Sequence, residues 1–126
     1  VVPLDLVVDN TVFQNVAGGP NEVPYLEALR RISRPGHTVL HLNLMSSEGV
    51  ERRQEFRSCM ELLDLPLTRR EDIVKVLEQD WEVLEMREGL YDLKPEAVGI
   101  ECDAFYTYGG PESPGIPSWW IILARK

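Results

Sequence analysis

The sequence predicts an α/β fold, a layered sheet flanked by helices, and three observations carry that prediction. The chain opens on Leu4-Asp5-Leu6-Val7-Val8-Asp9-Asn10-Thr11-Val12-Phe13, an apolar run ending abruptly in Asp-Asn-Thr, the pattern of a buried parallel strand that opens into a polar loop. Apolar positions then alternate between helical and strand spacing, in the order strand, helix, strand, one or two helices, strand, irregular arm, strand. A second unbroken apolar run, Trp119-Trp120-Ile121-Ile122-Leu123-Ala124, closes the sequence as a buried strand. No clear helix separates the last two strands, so they are expected to pair antiparallel.

Each element has a local reason. After the opening strand, residues 14–21 are polar and Gly-rich and read as a loop that turns the chain or covers a ligand. Val23, Leu26, Leu29 and Ile32 recur at helical spacing, and Arg30 and Arg31 place cations in the last turn, where the helix dipole favours them. Arg34-Pro35-Gly36-His37 stops that helix, and residues 38–44 follow as the second strand. Ser46 or Ser47 is placed to cap a helix carrying Val50, Phe56, Cys59, Met60 and Leu63 on one side. Thr68-Arg69-Arg70-Glu71 has the form of a capping box for a further helix bearing Ile73, Val74, Val76 and Leu77. Residues 81–87 alternate as a strand, with Trp81, Val83, Leu84 and Met86 as core candidates. Residues 90–107 hold strand-like pieces without a clear period, and 108–117 are so dense in Gly and Pro that they read as a loop.

Composition bounds the function. A chain of 126 residues with 44% hydrophobic content is about one domain, residues 1–126, able to bury a core without disulfides. Its 21 acidic residues against 13 basic give a net charge of -8, which argues against a broad nucleic-acid surface, since that affinity rests on clustered Lys and Arg. Cys59 and Cys102 fit no zinc-ligand spacing and are expected as reduced thiols in a cytoplasmic protein. No apolar run reaches the roughly 18 residues of a membrane span. Val1 in the place of an initiating Met fits a processed or trimmed chain, or a fragment.

The order of elements and the local text together resemble the carboxyl-terminal half of a class I, Rossmann-like S-adenosylmethionine-dependent methyltransferase. The run through Asp9-Asn10-Thr11-Val12-Phe13 resembles the fourth strand of that family. Residues 25–40, with Leu29-Arg30-Arg31-Ile32-Ser33-Arg34-Pro35-Gly36-His37, are similar to its next helix, its Pro-Gly turn and its fifth strand. Residues 81–85 and 119–126 look like its sixth and seventh strands, the seventh antiparallel. His37 stands where the turn usually has a second Gly. The Gly-rich cofactor loop after a first strand is absent, because Gly18-Gly19 and Gly109-Gly110 sit in Pro-bearing loops.

The resemblance implies S-adenosylmethionine as cofactor, bound only when the missing half is present. Asp9, Asn10, Thr11 and Phe13 would then line the cofactor cleft beside a small-molecule or, less favoured, protein acceptor. It also implies a partner: a second polypeptide supplying the nucleotide-binding half, as in a split or cleaved chain, or a second copy joined through the strand at residues 4–8. The alternative is a catalytically inert methyltransferase-derived assembly or regulatory subunit. From the residues themselves, Tyr106, Tyr108 and Trp119 around the Gly/Pro loop have the composition of a substrate lid or of a surface crossover whose aromatics pack in the core, and His41 is a candidate base or a locally hydrogen-bonded strand histidine. His37 and His41 fall in a turn and a strand and so share no helical face, and no metal site is expected. Asp9 has a competing role as a helix or loop cap.

Overall fold

The strand that opens the chain lies at one edge of a four-stranded mixed sheet. The computed structural model describes residues 3–52, 68–92 and 115–126. Within them run β1 (Leu6–Asn10), α1 (Val12–Val16), α2 (Glu22–Ile32), β2 (Val39–Met45), α3 (Ser47–Glu51), α4 (Arg70–Leu77), β3 (Trp81–Asp92) and β4 (Gly115–Arg125). The strand order is β1-β2-β4-β3. β1 and β2 are parallel, whereas β4 runs antiparallel to both β2 and β3, the pairing expected from the sequence for the last two strands.

Strand alternation sorts the sheet into two unlike faces. One carries Leu40, Leu42, Leu44, Ile121 and Leu123, which close against Phe13 of α1, Leu29 of α2, and Ile73 and Leu77 of α4 to form the core. The other carries Val8, His41, Ile122 and Glu85 in one cross-strand row and Asn10, Asn43, Trp120 and Arg87 in the next. Leu6 and Val8 are 51% and 67% exposed there, so β1 is both an edge strand and a bare one.

Four local expectations are corrected. Residues 14–21 are not all loop, because Gln14, Asn15 and Val16 belong to the short helix α1. The capping box at Thr68 does not form: Thr68 makes a parallel bridge with Ser46, and Arg69 is the N-cap without a side-chain bond. The Glu48 carboxylate takes that role from a distance, accepting from the Arg70 amide at 2.7 Å. Leu84 is 57% exposed, since a bulge between Val83 and Glu85 inserts it into the strand and thereby returns Met86 to the core face.

The fourth correction concerns the breaker-rich stretch, whose last residues, Gly115, Ile116 and Pro117, are the start of β4. Pro117 is tolerated because its carbonyl points towards the end of β2, accepting from Ser46 N–H at 2.9 Å. A residue's N–H lies on the same side as its C=O, so the missing donor costs the β3 ladder nothing. The Ser46 hydroxyl accepts from Gly49 N–H at 2.9 Å and caps α3, as expected from the sequence. Phe56, Cys59, Met60, Leu63, Cys102, Tyr106 and Tyr108 lie outside the described residues. Among the described residues no helix is long and apolar enough to cross a membrane.

Candidate functional site

Asp9, Asn10 and Thr11 stand at the carboxyl end of β1, beside Asn43 of β2, where open α/β sheets gather ligands. Thr11 adopts a left-handed backbone, φ 70, uncommon for a β-branched residue. That conformation turns the chain at once from strand into α1, and it is held by Thr11 N–H donating to the Asn43 carbonyl at 2.8 Å.

The Asp9 carboxylate points into the fold. It is 6% exposed and accepts from the Val12 amide at 2.8 Å and the Phe13 amide at 3.1 Å, so it neutralises the free donors at the start of α1. The Tyr25 hydroxyl of α2 also donates to it. Burial first, then this bond and the nearby carboxylate charge, push the Tyr25 phenol well above its ordinary 10.0. Phe13, 1% exposed, stacks obliquely on Tyr25 with centroids 5.6 Å apart. Two of the four residues expected at a cofactor cleft are therefore occupied with joining β1, α1 and α2.

Asn10 is exposed, and its carbonyl oxygen accepts from the Asn43 side-chain amide at 3.0 Å. The Asn43 Oδ1 is buried without a hydrogen-bond partner among the described residues. Both asparagines border a shallow cavity of about 320 Å³ on the open face, shared with His41, Glu85, Arg87 and Trp120. His41 is exposed and forms no side-chain hydrogen bond among the described residues. Trp119 faces the opposite way. It is 9% exposed, and its indole N–H donates to Glu48 Oε2 at 3.0 Å, tying β4 to α3 rather than lining this cavity.

Glu48 is the hub of that tie. Burial raises its pKa, but the Arg70 amide, the Trp119 indole and the Arg69 charge together lower it below the ordinary 4.5. The turn before β2 also explains the unusual histidine. The left-handed residue there is Gly36, φ 72, so position 37 needs no glycine, and His37 instead pairs with Asp5. Sequence reasoning did not single out Asn43, Glu85 or Arg87. The available signal was polar residues at alternate positions of otherwise apolar strands.

No protein-family model matches the chain, and no curated protein matches it. Solved structures do. One is an S-adenosylmethionine-dependent methyltransferase from Anabaena variabilis, 17% identical, with a TM-score of 0.58 over 94% of this chain and 48% of that one. Another was solved in work on the conversion of a disulfide bond into a thioacetal group during echinomycin biosynthesis; it is 18% identical, with a TM-score of 0.63 over 99% of this chain and 49% of that one. The chain thus spans about half the length of the structures it matches. At this identity the likeness defines the fold class, methyltransferase-like α/β, and the mixed four-stranded sheet with its reversed β4 agrees with it.

Proposed function

We propose that this chain is the carboxyl-terminal portion of an S-adenosylmethionine-dependent methyltransferase that acts on a small molecule once a second polypeptide, or a further stretch of chain, supplies the Gly-rich nucleotide-binding half. The observation that carries the reading is the edge position of β1. Its outer side bears exposed Leu6 and Val8, and the structural neighbours have about as much chain again. In a parallel ladder alternate residues bond to the neighbour, and Asp5 and Thr11 bond to β2, so Leu6, Val8 and Asn10 direct their backbone groups outwards. Those groups invite another strand.

The residues present fit the cofactor in a limited way. Asn10 is exposed at the strand end and its amide nitrogen has no partner among the described residues, so it is the side chain of this chain most available to hold the cofactor. S-adenosylmethionine would bring the reactive methyl on a sulfonium. The transfer needs positioning more than a nucleophile–base pair, and His41 would accept a proton from an acceptor hydroxyl where the acceptor carries one. Tyr106, Tyr108 and Trp119 remain the proposed substrate contacts from sequence, although the indole N–H of Trp119 is already engaged by Glu48. Native mass spectrometry of the material isolated from its source tests the proposal. A complex with a second chain of comparable size that gains one cofactor mass supports it, and a monomer or homodimer that takes up none overturns it.

The committed carboxylate of Asp9 favours a second reading, an inert methyltransferase-derived assembly subunit. Methyl transfer by the assembled complex that is lost in Asn10→Ala sinks that alternative.

A further inference from the structure

A second cavity, of about 480 Å³, lies away from the open sheet face, between the turn that follows α1 and the helix α4. The Ser46–Thr68 bridge seats the start of the α4 segment beside the end of β2, to which Gln14 of α1 is also bonded. Its wall includes Gln14, Ala17 and Val76, and its rim includes Glu22, Asp72 and Lys75. Gln14 is the informative member. It is only 3% exposed, and its Oε1 accepts from the Met45 amide at 2.7 Å.

That bond fixes the side chain. A backbone N–H can be accepted only by the amide oxygen, so the NH2 group must be the other branch. The NH2 has no hydrogen-bond partner among the described residues, although the residue borders the cavity. The NH2 is not among the fully buried side-chain atoms left without a partner, so this donor of an otherwise enclosed glutamine meets the cavity rather than an apolar wall. Nor is α1 in need of it: Asp9 already satisfies the first amides of that helix.

The geometry points to this cavity as a binding site for a neutral small molecule whose carbonyl oxygen accepts from the Gln14 NH2 while its apolar body lies against Ala17 and Val76. Charge disfavours an anionic head group, and the donor NH2 of Gln14 disfavours an ammonium, which offers it no acceptor. Two carboxylates, Glu22 and Asp72, face one ammonium, Lys75, at the rim, and the whole chain carries -8, so an anionic head group is disfavoured. Glu22 is partly committed, accepting from Gly18 N–H at 2.9 Å, which holds the rim loop in place. The inference is independent of methyl transfer, because it concerns binding by this chain alone.

The test is an amide NMR titration of the 126-residue chain with benzamide, benzoate and benzylamine, which share one ring and differ in head-group charge. The expected result is a saturable shift of the Gln14 side-chain NH2 and of the Ala17 and Val76 amides with benzamide, with a dissociation constant on the order of millimolar for so small a probe. Benzoate and benzylamine should bind several-fold more weakly. Ala17→Leu, which fills the cavity and leaves the Gln14–Met45 bond intact, should abolish the shifts. Gln14→Leu should reduce benzamide affinity about fivefold, the value of one neutral hydrogen bond. Absence of a saturable shift at Gln14, an unchanged response in Ala17→Leu, or tighter binding of benzoate or benzylamine than of benzamide would overturn the assignment.

Discussion

Asp9 is the residue on which a catalytic and an architectural role can be separated by stability alone. Replacing it with Ala strands three donors: the Val12 amide, the Phe13 amide and the Tyr25 hydroxyl. Val12 is 53% exposed, so water replaces the lost acceptor at that amide for little cost. The Phe13 amide and the Tyr25 hydroxyl are shielded, and each unsatisfied group costs about 1–3 kcal/mol. Asp9→Ala should therefore destabilise the chain by about 4 kcal/mol, a large share of the roughly 5–15 kcal/mol that holds a domain folded. Asp9→Asn keeps one oxygen for the amides and offers an NH2 to the Tyr25 oxygen, and should cost about 1 kcal/mol.

Urea unfolding followed by circular dichroism reads both values, and the phenolate absorbance adds an independent check. Because its folded pKa is raised, Tyr25 contributes stability that is fully present below the ordinary 10.0 and is lost as pH rises through the folded value. One phenol should accordingly resist titration until the chain unfolds in alkali, and Asp9→Asn should lower its pKa. Asp9→Ala within about 0.5 kcal/mol of the parent would refute the architectural role and leave the carboxylate free for a ligand.

Two further outcomes follow from the same region and its neighbour. The left-handed Thr11 is strained by about 1–2 kcal/mol relative to a residue that tolerates that region, so Thr11→Asn should raise the melting temperature by a few degrees; a lower one would show that the hydroxyl or methyl makes a compensating contact. Glu48 has a folded pKa below 4.5, so its contribution is present above that pH and disappears as pH falls through the lowered value. Glu48→Gln should be less stable than the parent at neutral pH and converge on it in acid, and parallel pH–stability curves would contradict the assignment.

Which features were legible in the sequence follows from whether their causes are local. β2 and the closing strand were readable because unbroken apolar runs reflect burial, and α2 because four apolar residues recur at helical spacing over 11 residues; β1 was found as a strand, but the burial expected of it is not there, since Leu6 and Val8 are exposed. α1 was hidden. It has only five residues, its initiating carboxylate lies on the preceding strand, and a Gly-rich stretch follows it directly. The start of β4 was hidden because Pro117 reads as a breaker until the direction of its carbonyl is known, and that direction is set by β2, more than 70 residues earlier in the chain. The capping of α4 was misassigned for the same reason, since Glu48 reaches the Arg70 amide from another helix.

The candidate site divides along this line too. Its location at the end of β1 came from a local pattern, the apolar run closing on Asp9-Asn10-Thr11. The division of labour inside it did not. Asp9 and Asn10 are adjacent and chemically alike in sequence, yet strand alternation sends them to opposite faces of the sheet, the first beneath α1 and α2 and the second towards solvent. One residue is thereby committed to holding helices and the other is available to a ligand. The same alternation places Asn43 beside Asn10 and Leu42 beside Asp9. Where a short polar sequence ends an edge strand, parity along the strand, rather than residue type, decides which side chain can do chemistry.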